Sequence, residues 1–150
     1  MSKTRAVPPL DAMRPAAHRA EAARPRPQVP IEDYALLGNT RTAALVDSDG
    51  SVDWLCIPRF DGQPVFGRLV GGDAAGHFKR GPAGPATTVS RRYRPNSNTL
   101  ETTWATETGR LTLTEGMVAE VSGQLLPSTL LVRRLSAEDG PVEAVLEFDP

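Results

Sequence analysis

Apolar residues recur with a period of two along most of this chain. Residues 42–46 and 51–57 are short apolar runs separated by Asp47-Ser48-Asp49-Gly50, whose acids and glycine suit a tight reversal, so the first predicted element is a β-hairpin. Leu100, Thr102 and Trp104 alternate with Glu101, Thr103 and Ala105; after a turn at Glu107-Thr108-Gly109, Leu111, Leu113 and Met117 fall opposite Thr112 and Thr114. Residues 130–135 predict another strand, and beyond the Asp139-Gly140 turn Val142, Ala144, Leu146 and Phe148 alternate with Glu143, Glu147 and Asp149. A short strand is expected at 77–79, a loop at Gly81-Pro82-Ala83-Gly84-Pro85, and a β-rich, arginine-bearing segment at 87–94. Only Val65, Phe66, Leu69 and Val70 have spacings that suit a helical turn or two, ended by Gly71-Gly72. Short antiparallel strands with hardly any helix predict an all-β, antiparallel β-sandwich. The last strand reaches Phe148 with no closing element before Pro150, so the sheet is expected to be incomplete at its C-terminal end, with an uncovered edge.

Composition divides the chain in two. Residues 1–30 hold six Lys/Arg against two acids, six of the 14 prolines and no aromatic residue, which predicts a disordered Ala/Arg/Pro-rich leader, with an organelle-type targeting peptide or a weak anionic-surface arm as the functional alternative. The predicted domain, 31–150, carries all 13 glycines and every aromatic residue. Seventeen basic residues against 18 acidic ones leave a formal charge of −1, giving no field to draw nucleic acid or an anionic membrane. No apolar run is long enough to span a membrane, and no secretory signal is evident, so a cytoplasmic location is expected.

The chemistry-bearing residues are few. Asp47, Asp49, Asp53 and Asp61 form the one carboxylate cluster worth weighing for glycoside hydrolysis, but Asp47 and Asp49 are expected at a solvated hairpin tip, where turn formation explains them. Gly50 stands fourth in Asp47-Ser48-Asp49-Gly50, whereas a calcium loop of the EF-hand type has its glycine sixth, so no metal is expected. Cys56 lies in an apolar run that raises a thiol pKa and reads as a buried hydrophobe. His18 and His77 read as bystanders, and no glycine spacing matches a nucleotide fingerprint, so no cofactor is expected. In Arg91-Arg92-Tyr93-Arg94, strand parity separates Arg92 and Arg94 from Arg91 and Tyr93, which favours a solvated sheet face over a nucleic-acid patch.

The stretch Ile31-Glu32-Asp33-Tyr34-Ala35-Leu36-Leu37-Gly38-Asn39, followed by Arg41-Thr42-Ala43-Ala44-Leu45-Val46 and by Asp49-Gly50-Ser51-Val52-Asp53-Trp54-Leu55-Cys56-Ile57-Pro58-Arg59-Phe60-Asp61, resembles a known opening. It is similar to the trehalase-like N-terminal domain of glycoside hydrolase family 15, the group of glucoamylases, glucodextranases and bacterial trehalases. The resemblance implies a supersandwich-like β domain preceding a catalytic (α/α)6 domain, which is therefore the expected partner, with an α-glucoside as a second candidate. It also implies inverting hydrolysis by two glutamates of that catalytic domain, so this chain is expected to hold no catalytic residue and to be inactive alone, as a C-terminally truncated piece. Trp54, Arg59, Phe60 and Asp61 are the residues that the resemblance offers for substrate binding or for the domain interface. The alternative reading of each is structural: Trp54 as core, Phe60 packing its loop, Arg59 paired with Asp61 or with the catalytic domain. Gly62 replaces the usual serine there. A rival function is a free-standing carbohydrate-binding or protein-interaction sandwich, with Trp54, Trp104 and Tyr93 as stacking platforms.

Overall fold

The computed structural model describes residues 29–150, except the side chains of 126 and 127, so the predicted leader lies almost wholly outside the described residues. Among them, ten strands form two antiparallel sheets. The first runs β1 (Ala35–Gly38), β2 (Ala43–Val46), β3 (Ser51–Cys56), β5 (His77–Pro82) and β10 (Ala144–Asp149), with β4 (Pro64–Phe66) paired to β3. The second is a meander of β6 (Thr87–Tyr93), β7 (Leu100–Ala105), β8 (Arg110–Val121) and β9 (Gln124–Glu138). The two sheets face each other without closing, as the alternation predicts.

The first hairpin sets the inside and outside of its sheet. Ala44 lies opposite Leu55 and Leu45 opposite Trp54, then a bulge at Asp53 brings Val46 opposite Val52. Ala44, Val46, Val52 and Leu55 are thereby buried, and Leu45 and Trp54 turn to the outer face. Asp47 has the turn role assigned to it, accepting the backbone N–H groups of Asp49 at 2.9 Å and Ser51 at 2.7 Å. Its place differs from expectation: it is 1% exposed, because the hairpin tip folds under the second sheet instead of standing in solvent. There the indole N–H of Trp104 donates to the Ser48 carbonyl at 3.2 Å. Gly50 adopts φ +75°, and a Cβ on it would lie 2.2 Å from the Arg80 carbonyl oxygen, so only glycine fits.

Three expectations need correction. Val65 and Phe66 belong to β4, and the helix α1 covers only Arg68–Gly71, because pairing with β3 captures the first two apolar residues. The strand predicted to end at Lys79 runs to Pro82, and the one predicted at 130–135 is 15 residues long. β1 was not legible, since Ala-Leu-Leu-Gly has no alternation; pairing with β2 makes it a strand.

Arg91 and Tyr93 also depart from a merely solvated face. Parity separates them from Arg94 as expected, and Arg94 pairs with Glu101 at 2.7 Å on the outside. Arg91 and Tyr93, however, point across to the first sheet. Arg91 donates to the carbonyls of Asp33 and Val46. The Tyr93 hydroxyl accepts the Leu36 N–H at 2.9 Å and donates to the Leu36 carbonyl at 2.8 Å, closing the free edge of β1 as a strand would.

The core lies between the sheets in two clusters. Leu37, Val46, Val52, Leu55 and Phe66 of the first sheet meet Leu100 and Met117 of the second, while Trp104, Leu111 and Leu113 cluster at the hairpin tip. Among these apolar groups sits one ion pair, Arg133 Nε to Glu115 Oε2 at 2.7 Å, with both side chains almost fully buried. The same guanidinium donates to the Phe78 and Gly50 carbonyls, each at 2.7 Å, and lies 4.7 Å from the Phe78 ring centre. Burial pushes the Glu115 carboxyl up from its ordinary value, and the charge of Arg133 pulls against it. Among the described residues no helix is long and apolar enough to cross a membrane.

Candidate functional site

The segment after β3 turns away from the sheet at Pro58, and the Phe60 N–H donates to the Arg41 carbonyl at 3.2 Å. That bond joins the 58–61 loop to the turn between β1 and β2, where Thr40 has φ +70°, an uncommon conformation for a β-branched residue. Thr40, Arg41, Pro58, Arg59 and Phe60 line a shallow hollow of about 470 Å³. Phe60 is 69% exposed, so its ring does not pack the loop and is available to a partner surface.

Arg59 and Asp61 form the pair expected of them, with Nε to Oδ1 at 3.0 Å and Nη2 to Oδ2 at 3.2 Å. Both side chains remain more than half exposed, and the fork geometry fixes the loop more than it stabilises the fold. Trp54 is neither core nor part of the hollow. It is half-buried on the outer face of the first sheet, in register with Leu45, which in turn lies opposite the exposed Leu36. The structure therefore brings Arg59, Phe60 and the unpredicted Arg41 together, and leaves Trp54 in an apolar stripe of its own.

Beside that stripe the outer face is covered. Asp53, carried by the bulge, accepts the Tyr34 hydroxyl at 2.8 Å and the Ser51 hydroxyl, and Arg68 of α1 stands 3.6 Å from it and 3.1 Å from Asp73. This knot holds α1 over Ser51 and Asp53, which are almost fully buried. Farther along, His77 Nε2 meets Glu147 Oε2 at 3.1 Å, and that bond holds the Glu147 carboxyl below its ordinary value. Sequence spacing carried no sign of Arg68 or Tyr34 because both reach Asp53 from other elements.

The chemistry available here is adhesive. Asp47 and Asp53 serve a turn and a bulge, and among the described residues no group of three or more His, Cys, Asp or Glu is placed to hold a metal. Burial, aided by the Asp61 charge, pushes the Cys56 thiol up, as its apolar run suggests, which makes it a poor nucleophile. Of the three aromatics considered as stacking platforms, Trp104 is 2% exposed, Trp54 is half-buried, and Tyr93 is exposed but has its hydroxyl tied to the Leu36 backbone.

Comparison with known proteins gives a consistent result. The family described as "Trehalase-like, N-terminal" matches residues 19–150. A trehalase of Mycolicibacterium smegmatis is 43% identical over 110 residues, which is 73% of this chain and 16% of that protein. A trehalase of Mycobacterium tuberculosis is 46% identical over 92 residues, or 61% of this chain and 13% of that protein. A trehalase of Thermoplasma volcanium is 28% identical over 124 residues, covering 80% of this chain and 19% of the relative. The chain thus spans less than a fifth of the length of these relatives. No solved structure matches it.

Proposed function

Because this chain belongs to the trehalase-like N-terminal family, we propose that it is the non-catalytic β-sandwich of a trehalase-type enzyme of glycoside hydrolase family 15. On this reading residues 31–150 are the N-terminal part of a cytoplasmic enzyme that hydrolyses an α-glucoside with inversion. The catalytic glutamates belong to an (α/α)6 domain outside this sequence. The sandwich packs on that domain, and the loop bearing Arg59, Phe60 and Asp61 shapes one wall of the sugar pocket.

The observation that carries the reading is the apolar stripe of exposed Leu36 and half-buried Leu45 and Trp54 on the same sheet as the loop bearing the exposed Phe60. The outer face of the second sheet is polar over β6 to β8, where it carries Arg92, Glu101, Thr103, Thr112 and Thr114, and turns apolar along β9, where Leu130 and Val132 are about half exposed.

The test is complementation. Co-expressed with the catalytic portion of a homologous trehalase, this chain should form a soluble complex that hydrolyses trehalose. Trp54→Asp and Phe60→Ala should weaken the complex without unfolding the chain. Glucose release by the chain alone, above a buffer blank, would overturn the non-catalytic assignment. Failure of either variant to affect the complex would overturn the interface. A second reading, direct sugar binding, is favoured only by the Phe60 hollow; calorimetric titration with maltooligosaccharides distinguishes it, since heat lost in Phe60→Ala would support it.

A further inference from the structure

At one end of the sandwich, where turns of both sheets meet, there is a mainly apolar cleft of about 510 Å³. Pro82, Pro85, Pro141 and Val142 give it apolar walls, and Glu107 and Glu143 add two carboxylates, both exposed. Val142 packs on the cluster of Trp104, Leu111 and Leu113, so one wall is continuous with the core. Two backbone bonds fix the turns: the Ala83 N–H donates to the Glu143 carbonyl at 3.0 Å and the Thr106 N–H to the Gly109 carbonyl at 2.9 Å. Residues 106–110 and 138–143 carry four acids, Glu107, Glu138, Asp139 and Glu143, and one base, Arg110, which Asp139 holds at 3.6 Å. The cleft is thus apolar inside and acidic around.

The chain enters the fold at this same end. Ala35, the first residue of β1, stands opposite Val46, next to the turn at 47–50. The Arg80 N–H donates to the Gly50 carbonyl at 2.9 Å and the Trp104 indole to the Ser48 carbonyl, so the ends of β5 and β7 that border the cleft meet that turn too. The family match begins at residue 19, so residues 19–28 belong to the matched region and precede the first described residue. They hold Arg19, Arg24 and Arg26 against Glu21, and Pro25 and Pro27 alternate with the last two arginines. Residues 31–150 carry 11 basic and 16 acidic residues, the opposite balance. Reach is sufficient. Ten residues in extended, proline-rich form cover about 31 Å, whereas β1 and β10 lie four strand spacings apart, about 19 Å.

We propose that this cleft is the docking site for residues 19–28 of the same chain, laid across the end of the sandwich as an extended strap. Pro25 and Pro27 lie against the proline walls, and Arg24 and Arg26 meet Glu107 and Glu143. A segment that cannot build a core of its own is held by one already formed, and its prolines lose little conformational freedom on docking. Each contact is weak, since exposed ion pairs contribute little. Tethering compensates: a short connection sets an effective concentration in the millimolar range, so contacts too weak to hold a free peptide hold this one. The same segment of a second copy competes only at comparable protein concentrations. The basic charge that would suit an anionic surface is on this reading neutralised within the chain.

The experiment uses the full chain carrying Ala22→Cys, with a nitroxide attached at position 22, and reads backbone amide line widths by NMR; Cys56 is 1% exposed and stays unmodified. At low ionic strength the amides of Gly84, Glu107 and Glu143 should broaden strongly, and most of that broadening should disappear in molar salt. Glu107→Lys with Glu143→Lys changes two exposed side chains and should abolish it while leaving the core amides in place. Adding Arg24→Glu with Arg26→Glu to that variant should restore it, which a merely structural effect of the cleft substitutions would not do. Broadening spread evenly over the surface, centred on the Phe60 hollow, or insensitive to the charge reversal would overturn the proposal. So would broadening of the cleft in an isotope-labelled chain by a separately spin-labelled one at micromolar concentration, which would make the strap intermolecular, or its loss when anionic lipid vesicles are added, which would assign the segment to a membrane surface.

Discussion

Replacing Arg133 by methionine tests what the buried ion pair does. Methionine keeps most of the unbranched stem and removes the three donor nitrogens that reach Glu115 Oε2, the Phe78 carbonyl and the Gly50 carbonyl, each at 2.7 Å. Counted singly, charge-assisted bonds of about 1.5–3 kcal/mol each overstate the loss, because the guanidinium also no longer has to leave water. What remains is the orphaned Glu115 carboxylate, and breaking a buried pair in this way costs about 3–5 kcal/mol. A domain of this size has about 5–15 kcal/mol in total, so a large part of the stability is at stake. Adding Glu115→Leu to Arg133→Met removes the stranded charge and should recover part of the loss, leaving the two unpaired carbonyls as the remainder. Urea melts read by tryptophan fluorescence suit the measurement, since Trp104 is buried beside the same hairpin tip. An Arg133→Met midpoint shift worth less than about 1 kcal/mol, or a double variant weaker than the single one, would falsify the reasoning.

Other expectations follow from single contacts. Gly50→Ala meets the Arg80 carbonyl at 2.2 Å in a positive-φ backbone and should destabilise by about 2 kcal/mol or more, read from the urea midpoint; a neutral result would contradict the close approach. Tyr93→Phe removes both bonds to Leu36 and should cost about 1 kcal/mol while speeding hydrogen exchange at the Leu36 amide; unchanged exchange would show that the edge is closed by something else. Glu147 has its folded-state value depressed below 4.5 by His77, so its contribution is present above that pH and lost as the pH falls through the folded value. Unsubstituted protein should therefore exceed Glu147→Gln in melting temperature near neutrality, with a gap that narrows in acid; a gap independent of pH would count against the pairing.

Much of the sandwich was legible because its strands alternate cleanly. Leu111 and Leu113 against Thr112 and Thr114 specify a half-buried strand whatever the partner, and Asp139-Gly140 specifies a turn. Where alternation fails the partner decides: β1 is a strand through β2, and Val65-Phe66 through β3. The candidate loop was found by resemblance, and its Arg59–Asp61 pair follows from residues two apart. Arg41 and Thr40 were not found, because a loop docking on a turn about 20 residues earlier leaves no local pattern. The interior position of Asp47 was hidden for a similar reason: the sheet that covers it begins 40 residues later, at Thr87.

The β8–β9 ribbon pairs strands of 12 and 15 residues whose inward positions are nearly all apolar, a pattern that tolerates sliding. A slip of one position would send every inward side chain to the opposite side. A slip of two would keep the apolar pattern intact, but it would set Arg133 against Leu113 or Met117 instead of Glu115 and strand both charges in hydrocarbon. The salt bridge thus works as an indexing pin: it makes one alignment of two otherwise interchangeable ladders the only tolerable one.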